Sequence, residues 1–170
     1  MSKWNDTDEP IAYFITFRTY GTWLAGDERG SIDKYHNRYG GPRAVSSPTR
    51  LTVHKGRLKS KPFLLKAKSR ATVEAAIREV CRIRNWQLIA IAVRTNHVHV
   101  VVSGVLSSGK MLNDFKAYST RRLRELGEWA ESHSPWVDKG SRRYLWTEAH
   151  VGAASNYVIS GQGEPLPQFD

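Results

Sequence analysis

Two histidines stand one residue apart in the stretch Asn96-His97-Val98-His99-Val100-Val101-Val102. Alternate side chains of a β-strand share a face, so this spacing turns His97 and His99 to one side while Val98, Val100 and Val102 point into the core. Two neighbouring imidazoles can chelate one cation, or they can form a plain hydrogen-bonded pair at a sheet surface. A strand of otherwise apolar residues gains nothing from two imidazoles unless they bind something, which favours the cation. Downstream, Phe115-Lys116-Ala117-Tyr118-Ser119-Thr120-Arg121-Arg122 has helical character, and Tyr118 falls at the edge of its apolar stripe. There a ring can pack while its hydroxyl reaches a site. Beside a bound cation such a phenol can attack phosphorus and hold the product as a phosphotyrosine ester; the plain alternative is a half-buried packing residue. Lys116 and Arg121 flank it, suited either to neutralising phosphates or to remaining solvated helix charges.

These side chains need elements to position them. Residues 11–20, IAYFITFRTY, are β-branched and aromatic and predict a strand. Residues 21–50 carry so many Gly and Pro breakers that a long loop is expected, of the kind that often has a function. From Lys66 to Asn85, Val73, Ala76, Ile77, Val80 and Ile83 recur at helical spacing. The runs 86–93 and 97–103, separated by Arg94-Thr95-Asn96, read as a hairpin. A second helix is expected over 110–131, with Leu112, Phe115, Leu123 and Leu126 on one stripe. A short strand at Tyr144-Leu145-Trp146 precedes a last helix over 148–160, stopped by Gly161. This order predicts an α+β fold of split β-α-β plan, an antiparallel sheet with helices on one face and the other face free, in a single domain over 1–170.

Composition narrows the partners. The 26 Lys and Arg against 16 Asp and Glu give a formal charge of +10, spread through basic clusters at 55–61, 66–70, 78–84, 121–124 and 139–143. A polyanion, and nucleic acid first, is the expected partner. No apolar run is long enough to span a bilayer, no leader precedes the first polar residues, and a cytoplasmic location is the expectation. The one cysteine, Cys81, falls on the apolar side of a helix and reads as a small buried hydrophobe. Tyr20, Trp23, Tyr35, Tyr39 and Trp146 are of a type that stacks on unpaired bases.

Taken together, "TFRTYGTWLAGDERGS", "HNRYGGP", "RTNHVHVVVS", "NDFKAYSTR", "SRRYLW" and "YVISGQG" resemble, over nearly the whole chain, the HUH single-tyrosine transposases of the insertion-sequence-200-like and REP-associated class. A bare His-x-His is weak evidence, whereas the ordered set is specific. The resemblance implies a ferredoxin-like sheet and an Mg²⁺ or Mn²⁺ ion on His97 and His99. It also implies cleavage of single-stranded or hairpin DNA by Tyr118 through a 5′-phosphotyrosine, and a homodimer. One position departs from the pattern. Many members carry Gln, Asn or His one helical turn after the tyrosine as a third metal ligand, but Arg122 stands there and has no acceptor to offer. His36, Asp114, Glu148, His150 or water are then the candidates for that place, and Arg122 is expected to hold a phosphate. Two other classes stay open: a non-catalytic single-strand binder, and a phosphodiesterase that uses an activated water.

Overall fold

The computed structural model describes residues 9–22, 42 and 44–166. Contacts group the chain into two compact units, Met1–Thr19 with Leu64–Asp170, and Tyr20–Phe63. In the larger unit, β1 (Ala12–Arg18), β2 (Gln87–Val93), β3 (His97–Ser103) and β4 (Ser141–Leu145) form one antiparallel sheet in the order β2-β3-β1-β4. In the smaller unit α1 (Pro48–Gly56) is the one helix among the described residues. In the larger unit α2 (Ala67–Arg84) leads into β2, α3 (Ser108–Glu125) joins β3 to β4, and α4 (Glu148–Ser160) follows β4. With α2 and α3 as the two crossovers, this is the β-α-β-β-α-β arrangement of a ferredoxin-like sheet.

The strand alternation divides the sheet into two surfaces. Ile15 and Phe17 of β1 and Val98, Val100 and Val102 of β3 are fully buried on one of them. The apolar stripe of α2, Val73, Ala76, Ile77 and Val80, and that of α3, Met111, Leu112, Phe115 and Leu123, are buried too. Phe17 meets Trp136 edge-on at 4.9 Å, and the Trp136 indole donates to the Lys116 carbonyl and to Thr120 Oγ1, which fixes α3 on that surface. Asn85, in the left-handed region at φ 56, ends α2, and Gly127 at φ 70 follows α3.

The opposite surface, expected to be free, is covered. Ala12, Ala90, Val101 and Leu145 from the four strands pack with Ala154 and Val158 of α4, with Phe14, Ala92 and Val151 at the rim. Thr147 caps this helix, its side chain accepting from the His150 amide at 3.2 Å.

Within the smaller unit, Ser47 caps α1 by accepting from the Arg50 amide at 3.3 Å, and Pro48 takes the first turn. This Ser-Pro pair is the signal that the expected long loop conceals. Trp23, Tyr35, His36 and Tyr39 lie outside the described residues. The Tyr20 hydroxyl accepts from the Lys59 amide at 2.6 Å.

Candidate active site

His97 and His99 share a face as the alternation requires, with ring centroids 4.7 Å apart, on the surface that α4 covers. Register sets Thr16 opposite His99 and Arg18 opposite His97. His99 is buried at 7% exposure, wedged between Phe14 at 5.4 Å and Tyr157 at 5.7 Å. Its Nδ1 lies 2.7 Å from Thr16 Oγ1, which leaves Nε2 for another partner. Both ring nitrogens of His97 face oxygens that can only accept, Nδ1 that of Asn96 at 2.7 Å and Nε2 that of Gln162 at 3.2 Å, and a neutral ring has one proton to give; the shorter contact takes it at Nδ1, which leaves a lone pair on Nε2.

That lone pair faces Gln162 Oε1 at 3.2 Å. The Gln162 amide nitrogen is committed to the Tyr157 carbonyl at 3.2 Å, so its oxygen is the atom turned to the histidines. Two acceptors in contact repel unless a proton or a cation lies between them. A proton is disfavoured: burial lowers the His97 pKa against the opposing Gln162 contact, and the charges of Arg18 and Arg94 lower it further. Burial, His97 and Arg18 push His99 down to about 3. Both rings are therefore neutral near pH 7. The donor set of two imidazole nitrogens and an amide oxygen fits a divalent cation that keeps water in its remaining positions.

The helix that precedes Gln162 also supplies a tyrosine. Tyr157 is half exposed, at 48%, with its ring against His99 and edge-on to Phe14 at 6.1 Å. Its carbonyl accepts from Gly161 at 2.9 Å and from Gln162, so one residue ends α4 and aims the amide.

Tyr118 is elsewhere. It lies on α3, against the surface that carries Ile15 and Phe17, with the sheet between it and the imidazoles, and Arg121 lies over its ring at 4.6 Å. The pairing of Tyr118 with His97 and His99 expected from sequence is thus not made within the chain. Lys116 donates to the Val137 and Lys139 carbonyls, and burial lowers its pKa. Arg122 forks onto Glu79 of α2, at 2.8 Å from Nη2 to Oε1, and reaches Glu125 at 2.9 Å, so here it closes a helix-helix ion pair. A groove of about 550 Å³ runs beside these residues, lined by Lys116, Arg121 and Arg124, but Arg124 also donates to backbone carbonyls.

Of the third-ligand candidates, Asp114 pairs with Lys110 on its own helix and with Arg84 of α2. Glu148 and His150 start α4, about 18 Å along the helix from its far end, where Gln162 follows. His36 lies outside the described residues. Among the described residues no group of three or more His, Cys, Asp or Glu side chains is placed to hold a metal. Sequence reasoning gives no role to Thr16, Arg18, Asn96 or Gln162, and favours Tyr118 over Tyr157. For Gln162 the signal was its place just after the Gly161 stop, in "YVISGQG". Cys81 is buried as expected, and burial pushes its thiol up to about 11.

Comparison with known proteins bears on this site. A family model described as "Transposase IS200 like" matches residues 56–154, a span that takes in His97, His99 and Tyr118 and stops short of Tyr157. A REP-associated tyrosine transposase bound to a REP hairpin is similar in structure, with TM-score 0.47 and 12% identity over 93% of this chain and 70% of that one. A protein of Deinococcus radiodurans assigned as a transposase gives TM-score 0.46 and 12% identity, covering 97% of this chain and 100% of that one. No curated protein matches the sequence.

Proposed function

This chain belongs to the IS200-like transposases, and from that membership we propose that it is a single-stranded DNA endonuclease and strand transferase whose nucleophile is Tyr157. The observation that carries the reading is the convergence of His97, His99, Gln162 and Tyr157 on one sheet surface. A divalent cation, Mg²⁺ or Mn²⁺, held by His97, His99 and Gln162 would polarise a non-bridging phosphate oxygen and draw the phosphodiester into place.

The chain's own groups do the rest. Asn96 holds the His97 ring in the tautomer that leaves its Nε2 bare, and Thr16 engages Nδ1 of His99 so that Nε2 of that ring is the nitrogen turned to the site. Arg18, whose charge is felt by both rings, offsets negative charge on the incoming phosphate. Tyr157 loses its phenolic proton to solvent and its oxygen bonds to phosphorus as the bond to the 3′-oxygen breaks. The 3′-oxygen leaves as a hydroxyl after taking a proton, and a 5′-phosphotyrosine remains. Attack by another DNA 3′-hydroxyl reverses these steps and frees the tyrosine, so no nucleotide is consumed. In the homodimer that the family resemblance implies, each chain would carry its own histidines and tyrosine.

A denaturing gel of wild type with hairpin DNA labelled at its 3′ end, the fragment that a 5′-phosphotyrosine retains, tests this. Label should shift to protein in Mn²⁺ or Mg²⁺, and both cleavage and the adduct should vanish in EDTA and in His97→Ala. Cutting without an adduct would favour the water-using phosphodiesterase; binding with no cutting in any divalent ion would favour the plain binder.

A further inference from the structure

On the sheet surface opposite the histidines, the edge strand exposes a row of aromatic rings. Arg142, Tyr144 and Trp146 alternate along β4 and one residue past it, all on the surface opposite the one that bears His97 and His99. Tyr144 is 49% exposed and Trp146 37% exposed. Their centroids are 6.1 Å apart at 73°, and Tyr13, the cross-strand partner of Tyr144, meets it edge-on at 5.4 Å. Tyr13, opposite Tyr144, is three residues along β1 from Thr16, the partner of His99, and five from Arg18, the partner of His97, so the rings lie roughly 10 to 16 Å along the sheet from the histidines as well as on its other surface. Neighbouring Ile15 and Phe17 are fully buried; Tyr144 and Trp146 are left open to solvent.

An open aromatic row on an edge strand invites pairing with another chain unless it has a different use. Its charge argues against a second copy. Lys139, Arg142 and Arg143 precede the rings, and Arg142 is exposed with its guanidinium 3.5 Å from Ser108 Oγ, so edge-to-edge pairing would bring like charges together. The same charges complement phosphates, and rings offer a face to any unpaired base. We propose that Tyr144 and Trp146, with Arg142, form a second nucleic-acid contact: a stacking platform for unpaired bases of single-stranded DNA, with Arg142 on a neighbouring phosphate. It rests on reading the chain as a protein that handles single strands, but not on the chemistry at Tyr157.

The test is binding of fluorescent oligothymidine in EDTA, with photocross-linking of the same oligonucleotide carrying bromodeoxyuridine. Tyr144→Ala and Trp146→Ala should each weaken binding about tenfold, and wild type should cross-link through the peptide containing Tyr144 and Trp146. Tyr144→Phe and Trp146→Phe should restore binding. Should an alanine variant fail to fold, Arg142→Gln must still weaken binding and flatten its dependence on salt, because one phosphate contact fewer releases fewer counterions. Unchanged affinity in the folded variants, with cross-links only elsewhere, overturns the proposal. So does loss of a wild-type dimer on sedimentation of Trp146→Ala with DNA affinity intact, which would assign the row to a second copy. Because EDTA removes cleavage from the readout, failure here is distinguishable from failure at Tyr157.

Discussion

The two surfaces of the sheet are built from the same strands and put to different use. Under α2 and α3, every inward side chain of β3 is a fully buried valine, and α3 adds Met111, Phe115 and Leu123. Under α4, the same strand presents His97, His99 and Val101, and the covering helix has buried only Ala154 and Val158. The first surface gains stability from apolar area. The second gives up part of that gain to keep two neutral imidazoles, an amide oxygen and a half-exposed phenol within reach of one another. Burial is common to both; what differs is whether the buried atoms hold lone pairs.

The comparison breaks most readily at Phe115, whose ring lies 5.8 Å from that of Trp86. Phe115→Ala should cost about 4 kcal/mol of unfolding free energy in urea, with Mn²⁺ affinity of the folded fraction unchanged. A smaller loss accompanied by weaker metal binding would mean that the surfaces are not independent.

Acid should act on the other surface. Between its ordinary 6.5 and about 3, His99 refuses in the folded state a proton that the unfolded chain binds. Its contribution is complete above pH 6.5 and is lost as pH falls toward 3, about 3 kcal/mol of it by pH 4 in metal-free protein. Denaturant titrations across that range should show a shallower slope in His99→Gln; an identical slope would remove His99 as the cause.

The smallest effect expected is at Gln162. Gln162→Ala should weaken Mn²⁺ binding about tenfold or more, read by calorimetry, and leave the melting temperature of metal-free protein nearly as before. Unaltered affinity would return the third place to water.

What could be read from sequence follows from periodicity. The alternation in 97–103 located both surfaces of β3, and helical spacing located α2, although Ile83, on the expected stripe, is 53% exposed where the helix runs past its cover. Cys81 and the antiparallel sheet were legible for the same reason. Tyr118 and Tyr157 were not distinguishable, because each sits on a helix following a strand and helical spacing does not say which side of a sheet the helix will cover. That is decided by the order β2-β3-β1-β4 and by α4 returning across the histidine surface. The Arg122 fork onto Glu79 joins residues 43 apart in sequence, a pairing that no local pattern encodes.

The central claim is that chemistry belongs to the surface under α4. Tyr157→Phe and Tyr118→Phe, compared on the same hairpin DNA with trapping and peptide mapping, test it directly. Tyr157→Phe should lower cleavage by about 10³-fold or more and abolish the adduct, while Tyr118→Phe keeps both, with the wild-type nucleotide on the peptide that contains Asn156, Tyr157 and Val158. An adduct mapped to Tyr118, or full cleavage by Tyr157→Phe, would contradict it.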